Sequence, residues 1–397
     1  MSGICKAPKG SPSIALIRQR YNPFGGAERF VERALDALVA QGANVTLITR
    51  NWEGAPQARA GFRTLICNPR GGGLISKRTR RDRAFCQGVQ AILAREAFDI
   101  VQSHERIPGC TVFRAGDGVH AAWLAHRARL LNPLQRLAQT LSPYHRYVLA
   151  AEQALFEHPA LKAVICNSQM VADEIHAFYG VDRNKLKLIY NGVDLDDFHP
   201  RLRDLHRASQ RARLGIDDRA PVVLYVGSGY ERKGVPQLLA AFAAQNSREA
   251  RLIIVGADRK LKAMKKLATT LGVANRIHFV GPVNDVRPYY GCADAFALPT
   301  IYDPGPNAAL EAMACGLPLL TSHGCGAKEW VSEGVNGFIV DVHDPRQMAA
   351  QLEKLIELGG SAQAHRAARA AVAHLGLTPM VERLDDLYHS LLEPRTH

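Results

Sequence analysis

The stretch from Ala295 to Thr321, AFALPTIYDPGPNAALEAMACGLPLLT, leaves this chain few ways to fold. Ala295 to Leu298 is an apolar run of strand length, and Pro299, Pro304, Gly305 and Pro306 prevent any regular element before Asn307. Pro306 suits a helix start, Ala308 to Ala314 are good helix formers, and Gly316 with Pro318 ends the helix ahead of a second apolar run. Strand, loop, helix and strand make one unit of a parallel sheet, and such sheets bind ligands in the crevice at their carboxyl edge. The first amides of the helix, at Asn307, Ala308 and Ala309, favour a phosphate there. Glu311, one turn further in, can accept two hydrogen bonds from a ribose diol. The pattern suggests a nucleotide diphosphate, although a solvated helix glutamate reads the same way by position alone.

The same alternation runs along most of the chain. SIALIRQR is a strand, YNPFGG a glycine loop, Ala27 to Gln41 a helical pattern and ANVTLIT the next strand. Gly25 and Gly26 lack side chains, so backbone can approach a ligand closely where that helix begins. Further strands fit Thr64 to Cys67, Asp99 to Ser103 after a helix around Phe85 to Arg95, Val112 to Ala115, and AVIC before a helix capped by Ser168. The GDG turn after Val112 to Ala115 presents Asp117 and His120 at the strand's carboxyl end. Residues 123 to 157 are helical in pieces broken by Pro133 and Pro143, and read as a packed lobe or an interfacial surface. PVVLYVG, RLIIVG and RIHFVG are strands separated by helices over Val235 to Ala244, Lys260 to Leu271 and Val286 to Cys292. At 397 residues the chain suits two domains. The expected fold class is α/β, two Rossmann-like doubly wound parallel sheets facing a central cleft.

Composition removes several functions. Eight cysteines without a C-x-x-C pair fit reduced thiols and no zinc site. No apolar run reaches membrane-span length and the first twelve residues lack a signal-peptide core, so a cytoplasmic protein is expected. The net charge of +13 asks for an acidic partner. Basic residues gather at Arg70 to Arg83, Arg127 to Arg136 and Arg201 to Arg213, without interleaved aromatics or a helix-turn-helix pattern, which disfavours nucleic acid. Solvated faces and peripheral contact with an anionic membrane are the two readings left. No G-x-G-x-x-G is present for a nicotinamide cofactor, and in SGYERKG Val235 stands where an ATP-binding loop needs lysine. Arg232 and Lys233 instead open a helix, where they can hold a diphosphate. With these cations in place neither a metal nor a cofactor is expected.

Asp303, seven intervening residues and Glu311, followed by AMACGLPLLTS, resemble the E-x7-E signature of retaining glycosyltransferases of family GT4, which have the GT-B fold. GGAER is similar to the GGxER loop of that family's amino-terminal domain, RKG to its basic donor-domain pair, and KLKLIYNGVDLDDFHP to its hinge. HERIPG and GCTVFRAGDGVHAAWL resemble the WaaG-type lipopolysaccharide core glucosyltransferases within it. One departure is Asp303, a methylene shorter than the family's glutamate. The resemblance implies an acceptor domain over 1–197, a donor domain over 198–377 and a helix, 378–397, returning to the first domain. It implies Arg232, Lys233 and Asp303 as catalytic groups on the donor side, Glu311 on the ribose, and Gly25 and Gly26 near donor phosphates and acceptor. It also implies Asp117 on the acceptor side, with His104 and His120 behind it. The implied activity moves a hexose, glucose favoured, from a UDP-sugar to a lipopolysaccharide inner-core heptose or related lipid-linked glycan at the inner face of the inner membrane. Alternatives are a family member with another polysaccharide or lipid-linked acceptor, and a catalytically silent nucleotide-sugar-binding protein.

Overall fold

The computed structural model describes residues 11–21, 39, 42–52, 60–69 and 76–392. The first sheet is built from β1 (Ser13–Ile17), β3 (Asn44–Thr49), β5 (Phe62–Ile66), β6 (Ile100–Ser103), β7 (Val112–Arg114), β8 (Ala163–Cys166) and β9 (Leu186–Leu188). Two further segments, β2 (Arg20–Tyr21) and β4 (Asn51–Trp52), pair with each other as a short parallel ribbon. The second sheet holds β10 (Val222–Val226), β11 (Arg251–Val255), β12 (Ile277–Gly281), β13 (Ala295–Leu298), β14 (Leu319–Ser322) and β15 (Gly337–Val340). Strand order is β5-β3-β1-β6-β7-β8-β9 in the first and β12-β11-β10-β13-β14-β15 in the second, with every pair parallel. Val222 to Tyr225 and Ala295 to Leu298 are buried throughout, as strands covered on both faces require. Each sheet reverses its direction of growth once, between β1 and β6 and between β10 and β13. Those two switch points define the crevices where a ligand can sit.

Two connections join the sheets and run side by side. Val193 forms a parallel bridge with Gly376, the Val193 amide donating to the Leu375 carbonyl at 2.8 Å. Beyond it helix Leu377–Leu392 lies against the first sheet, with Met380, Leu384, Leu387 and Tyr388 buried among Ile14, Leu16, Val45 and Ile165. The Tyr388 hydroxyl donates to Gln102 Oε1 at 2.5 Å.

The basic run from Arg201 to Arg213 is not a surface for an acidic partner. It forms helix Leu202–Leu214, and Arg203, Arg207 and Arg211 converge on the buried Asp294 at 3.1, 2.7 and 2.7 Å. Arg211 is fully enclosed and also donates to the carbonyls of Cys292, Asp217, Asp218 and Ala220. A buried cation needs this many acceptors, so the charges here fasten the helix to the sheet. The helix expected around Phe85 begins earlier, at Lys77, because the Ser76 hydroxyl accepts from the Thr79 amide and caps it. Its first two turns therefore carry the run KRTRRDR.

Candidate active site

At the switch point of the second sheet, the loops following β10 and β13 meet. The β10 loop is shaped by Asp258, whose Oδ2 accepts from the amides of Gly229 and Tyr230 at 2.7 and 3.0 Å. Burial works against its charge, but these amides and that of Lys260 hold the carboxyl below its usual range. Gly234, at φ +75°, ends the loop where any side chain would strike the Pro299 carbonyl. The loops are then stitched together. Ile301 donates its amide to the Arg232 carbonyl at 2.8 Å, and Arg232 returns a guanidinium hydrogen bond to the Tyr302 carbonyl at 2.7 Å. Lys233 Nζ stands 3.2 Å from Asp303 Oδ2, and Arg232 3.7 Å from the same oxygen. Asp303 is buried, bridged to Cys325, and fixed by backbone hydrogen bonds to Gly324 and Gly326.

Helix Asn307–Ala314 starts directly after this loop, and its capping residue, Pro306, offers no side-chain acceptor to the first amides. Asn191, from the NGVD run between the sheets, donates to Asn307 Oδ1 at 2.7 Å and to the Gly305 carbonyl at 3.0 Å. Its own Oδ1 accepts from the buried Arg114 of β7 at 2.6 Å. One side chain thus joins the first sheet to the helix start. Glu311 is buried one turn in, and its Oε2 accepts from the Tyr290 hydroxyl at 2.9 Å. Ala309 is fully buried behind it, while Asn307 and Ala308 are half-buried.

Across the cleft, Asp117 is exposed on the turn after β7, at the rim of a cavity of about 150 Å³. Gln19, Glu105, Arg106, Arg78 and Tyr144 line the same cavity. Arg106 donates to Glu152 at 2.8 Å, and the charges of Glu152 and Asp117 keep it protonated against the loss of solvent. Glu152 is nearly inaccessible and also accepts from the His120 amide at 2.8 Å and the Tyr179 hydroxyl at 2.6 Å. His120 opens helix His120–Ala128 and meets His145 at 3.1 Å. Burial, then the charges of Arg106 and His145, push its pKa down to about 3. His104 is buried beside Gln102, at 3.2 Å, and is likewise held neutral by desolvation and by Arg114 and Arg18. Both histidines are therefore neutral groups of the interior wall. Gly25 and Gly26 lie outside the described residues.

The residues singled out in the sequence fall into two groups. Arg232, Lys233, Asp303, Asn307, Ala308, Ala309 and Glu311 share one switch point, while Asp117, His104 and His120 belong to the loops of the other sheet. Asp258, Asn191, Glu152 and Tyr302 were not foreseen. Of these Asn191 and Tyr302 sat within recognised runs, but neither side chain was singled out there. Asp194 and Asp196 have D-x-D spacing, but Asp194 Oδ1 closes a local turn by accepting from the amides of Asp196 and Asp197 at 3.1 and 3.0 Å. Among the described residues no cluster of three or more histidine, cysteine or acidic side chains is placed to hold a metal ion, and the seven described cysteines are all free.

Comparison with known proteins gives this geometry a family. Residues 24–197 match the model described as Glycosyltransferase Family 4, and residues 206–373 the one described as Glycosyl transferases group 1. D-inositol 3-phosphate glycosyltransferase of Salinispora arenicola (strain CNS-205) is 30% identical over 315 residues, covering 74% of this chain and 69% of its own. The chain belongs to glycosyltransferase family 4. Lipopolysaccharide glucosyltransferase WaaG of Escherichia coli (strain K12) is 26% identical over 331 residues, 82% of this chain and 84% of that one. The crystal structure of WaaG superposes with a TM-score of 0.78 at 24% identity, covering 94% of this chain and 99% of that one. Anabaena Alr3699/HepE in complex with UDP-glucose superposes with a TM-score of 0.69 at 18% identity, covering 96% and 100%. The fold of this family 4 member is therefore GT-B.

Proposed function

We propose that the protein transfers a hexose, with retention at the anomeric carbon, from a UDP-sugar to a hydroxyl of a glycan acceptor. The observation that carries this reading is the convergence of Lys233 and Arg232 on Asp303 beside the start of helix Asn307–Ala314. In this reading the two cations and the first helix amides receive the diphosphate, Glu311 accepts from the ribose hydroxyls, and Asp303 faces the donor sugar. The acceptor hydroxyl attacks on the face the diphosphate leaves. The sugar–oxygen bond breaks as the new glycosidic bond forms, and the departing phosphate takes the acceptor's proton. Fixed positive charge at the leaving group contributes on the order of 3 kcal/mol per well-placed donor, which lets the site work without a metal. UDP is supported by the fold neighbour that binds UDP-glucose, and glucose by the likeness to WaaG.

The acceptor side is assigned to the first domain, residues 1–197, with Asp117 beside the incoming hydroxyl. The likeness to WaaG favours a heptose of a lipopolysaccharide inner core, carried on lipid at the cytoplasmic face. Peripheral contact with an anionic bilayer is supported by helix Pro133–Leu141, which buries none of its residues. Leu134, Leu137 and Leu141 are 79, 56 and 61% exposed at a spacing that puts them on one helical face, and Leu130, in the turn before the helix, is 38% exposed. No acidic residue occurs from Gly118 to Ala151, while Arg127, Arg129, Arg136 and Arg146 do. An apolar stripe whose own segment carries only basic charges, with Arg129 paired to Asp341 at 2.9 Å, fits an anionic lipid headgroup layer. No described helix is long and apolar enough to cross a membrane. A small phosphorylated polyol, the acceptor named for the inositol phosphate relatives, is the alternative class.

The deciding experiment incubates the full chain with UDP-glucose, first alone and then with lipopolysaccharide core acceptors and phosphorylated polyols. Slow UDP release without acceptor, accelerated by one acceptor class, is the expected result. Absence of both release and UDP binding would make the protein neither transferase nor donor binder. Binding without turnover would identify a catalytically silent binder. Glu311→Ala with unchanged turnover and UDP affinity would remove the ribose assignment.

A further inference from the structure

Tyr302 immediately precedes Asp303 on the donor loop, yet its side chain is buried in the core of the other domain. It is 2% exposed and belongs to the apolar cluster of Phe113, Val119, Leu155 and Met170. Its hydroxyl donates to Glu174 Oε2 at 2.6 Å and accepts from the Val119 amide at 2.8 Å. Val119 is the capping residue of helix His120–Ala128, directly after the turn that carries Asp117. Gly118, at φ +70°, has no side chain where the ring lies, and a Cβ there would overlap the phenol. His126 flanks the ring at a centroid distance of 5.7 Å. On its backbone side, the Tyr302 carbonyl accepts from the Arg232 guanidinium.

We propose that Tyr302 is a positioning residue which sets the donor loop against the acceptor turn, aligning Asp303 and Arg232 with Asp117 through its two hydrogen bonds and its slot over Gly118. The assignment rests on the proposed donor and acceptor roles of those three groups. Its physical basis is that transfer needs the two half-sites in register to a fraction of an ångström. A tyrosine suits that task better than an apolar plug. The ring supplies area, while an oxygen bonded to one carboxylate and one amide admits a single depth and angle. Leaving that carboxylate and amide unpaired in the contact is unfavourable, so the slot selects the aligned arrangement.

Two variants of the full chain test the assignment. Tyr302→Phe keeps the ring and removes both hydrogen bonds, and Tyr302→Ala empties the slot. For UDP-glucose hydrolysis, Tyr302→Phe is expected to lower kcat about tenfold while KM and the UDP dissociation constant stay within about twofold, the signature of lost alignment. Glu174→Ala combined with Tyr302→Phe adds little beyond the single change, because both remove the same contact. Small-angle X-ray scattering without any ligand is expected to show a larger radius of gyration for Tyr302→Ala than for the wild type. A wild-type kcat in Tyr302→Phe, or a wild-type scattering profile in Tyr302→Ala, overturns the assignment. Failure of the wild type to bind UDP overturns the transferase reading instead, and the scattering comparison then decides the contact between domains by itself.

Discussion

Asp303 and Lys233 neutralise each other in the structure, and an arriving diphosphate would have to share Lys233 with that carboxylate. Replacing Asp303 with Asn removes a negative charge close to the phosphates. UDP is expected to bind about threefold to tenfold tighter while turnover falls, a split that calorimetry and steady-state kinetics can resolve. Lys233→Ala should lower kcat by about 10² to 10³ through loss of leaving-group stabilisation. Glu311→Ala should raise the UDP dissociation constant about 10-fold to 100-fold, since hydrogen bonds to a charged acceptor contribute about 1.5–3 kcal/mol. The residues assigned to the donor side are legible as one group in the sequence because Asp303, Asn307 and Glu311 lie on one continuous strand, loop and helix, and because Arg232 and Lys233 precede another helix. Asp258 and Tyr302 were not legible. Asp258 acts on amides 28 and 29 positions away, and Tyr302 on a carboxylate 128 positions away, so neither has a local signal.

At the scale of elements, the alternating strands and helices were readable because buried parallel strands are short apolar runs and their helices carry glycine and proline at the ends. Charged helices were harder. Leu202–Leu214 reads as a basic surface until Asp294 is brought to it by folding. Arg211→Ala is expected to destabilise the protein by about 3 kcal/mol, read from urea unfolding, with Arg203 and Arg207 limiting the loss. Helix Pro133–Leu141 gives the opposite forecast. A Leu134→Ser, Leu141→Ser double variant should change stability by less than about 1 kcal/mol, since both side chains are mostly exposed. It should nonetheless abolish co-sedimentation with anionic vesicles; retained binding would remove the stripe from the membrane contact.

The whole molecule carries a titratable group in the contact between its domains. Burial, partly opposed by the Tyr302 hydrogen bond and the Lys328 charge, pushes Glu174 up from its usual 4.5 to about 7. Glu152 and Asp173 reinforce the rise, and His126, whose own pKa is lowered by burial, lies on the other side of the Tyr302 ring. A carboxyl raised in the contact favours the contact when protonated. That contribution is full below about 4.5 and is lost as pH rises through about 7, on the order of 2 kcal/mol. The domains are therefore expected to separate more readily at pH 8 than at pH 5.5, and Glu174→Gln should flatten this dependence in scattering or hydrogen-exchange measurements.

The helix Leu377–Leu392 covers apolar residues of β1, β3 and β8, strands that leave the ribosome long before it does. Roughly 190 residues, the entire second sheet with its helices, are synthesised between β9 and that helix, which at about 5–20 residues per second takes roughly 10–40 s. During that interval the older domain presents an uncovered Ile, Leu and Val face, and the younger one completes its core first. A nascent chain halted before Leu377 should consequently be held by chaperones or aggregate, and release of the last helix should be the event that makes the earliest strands resistant to protease.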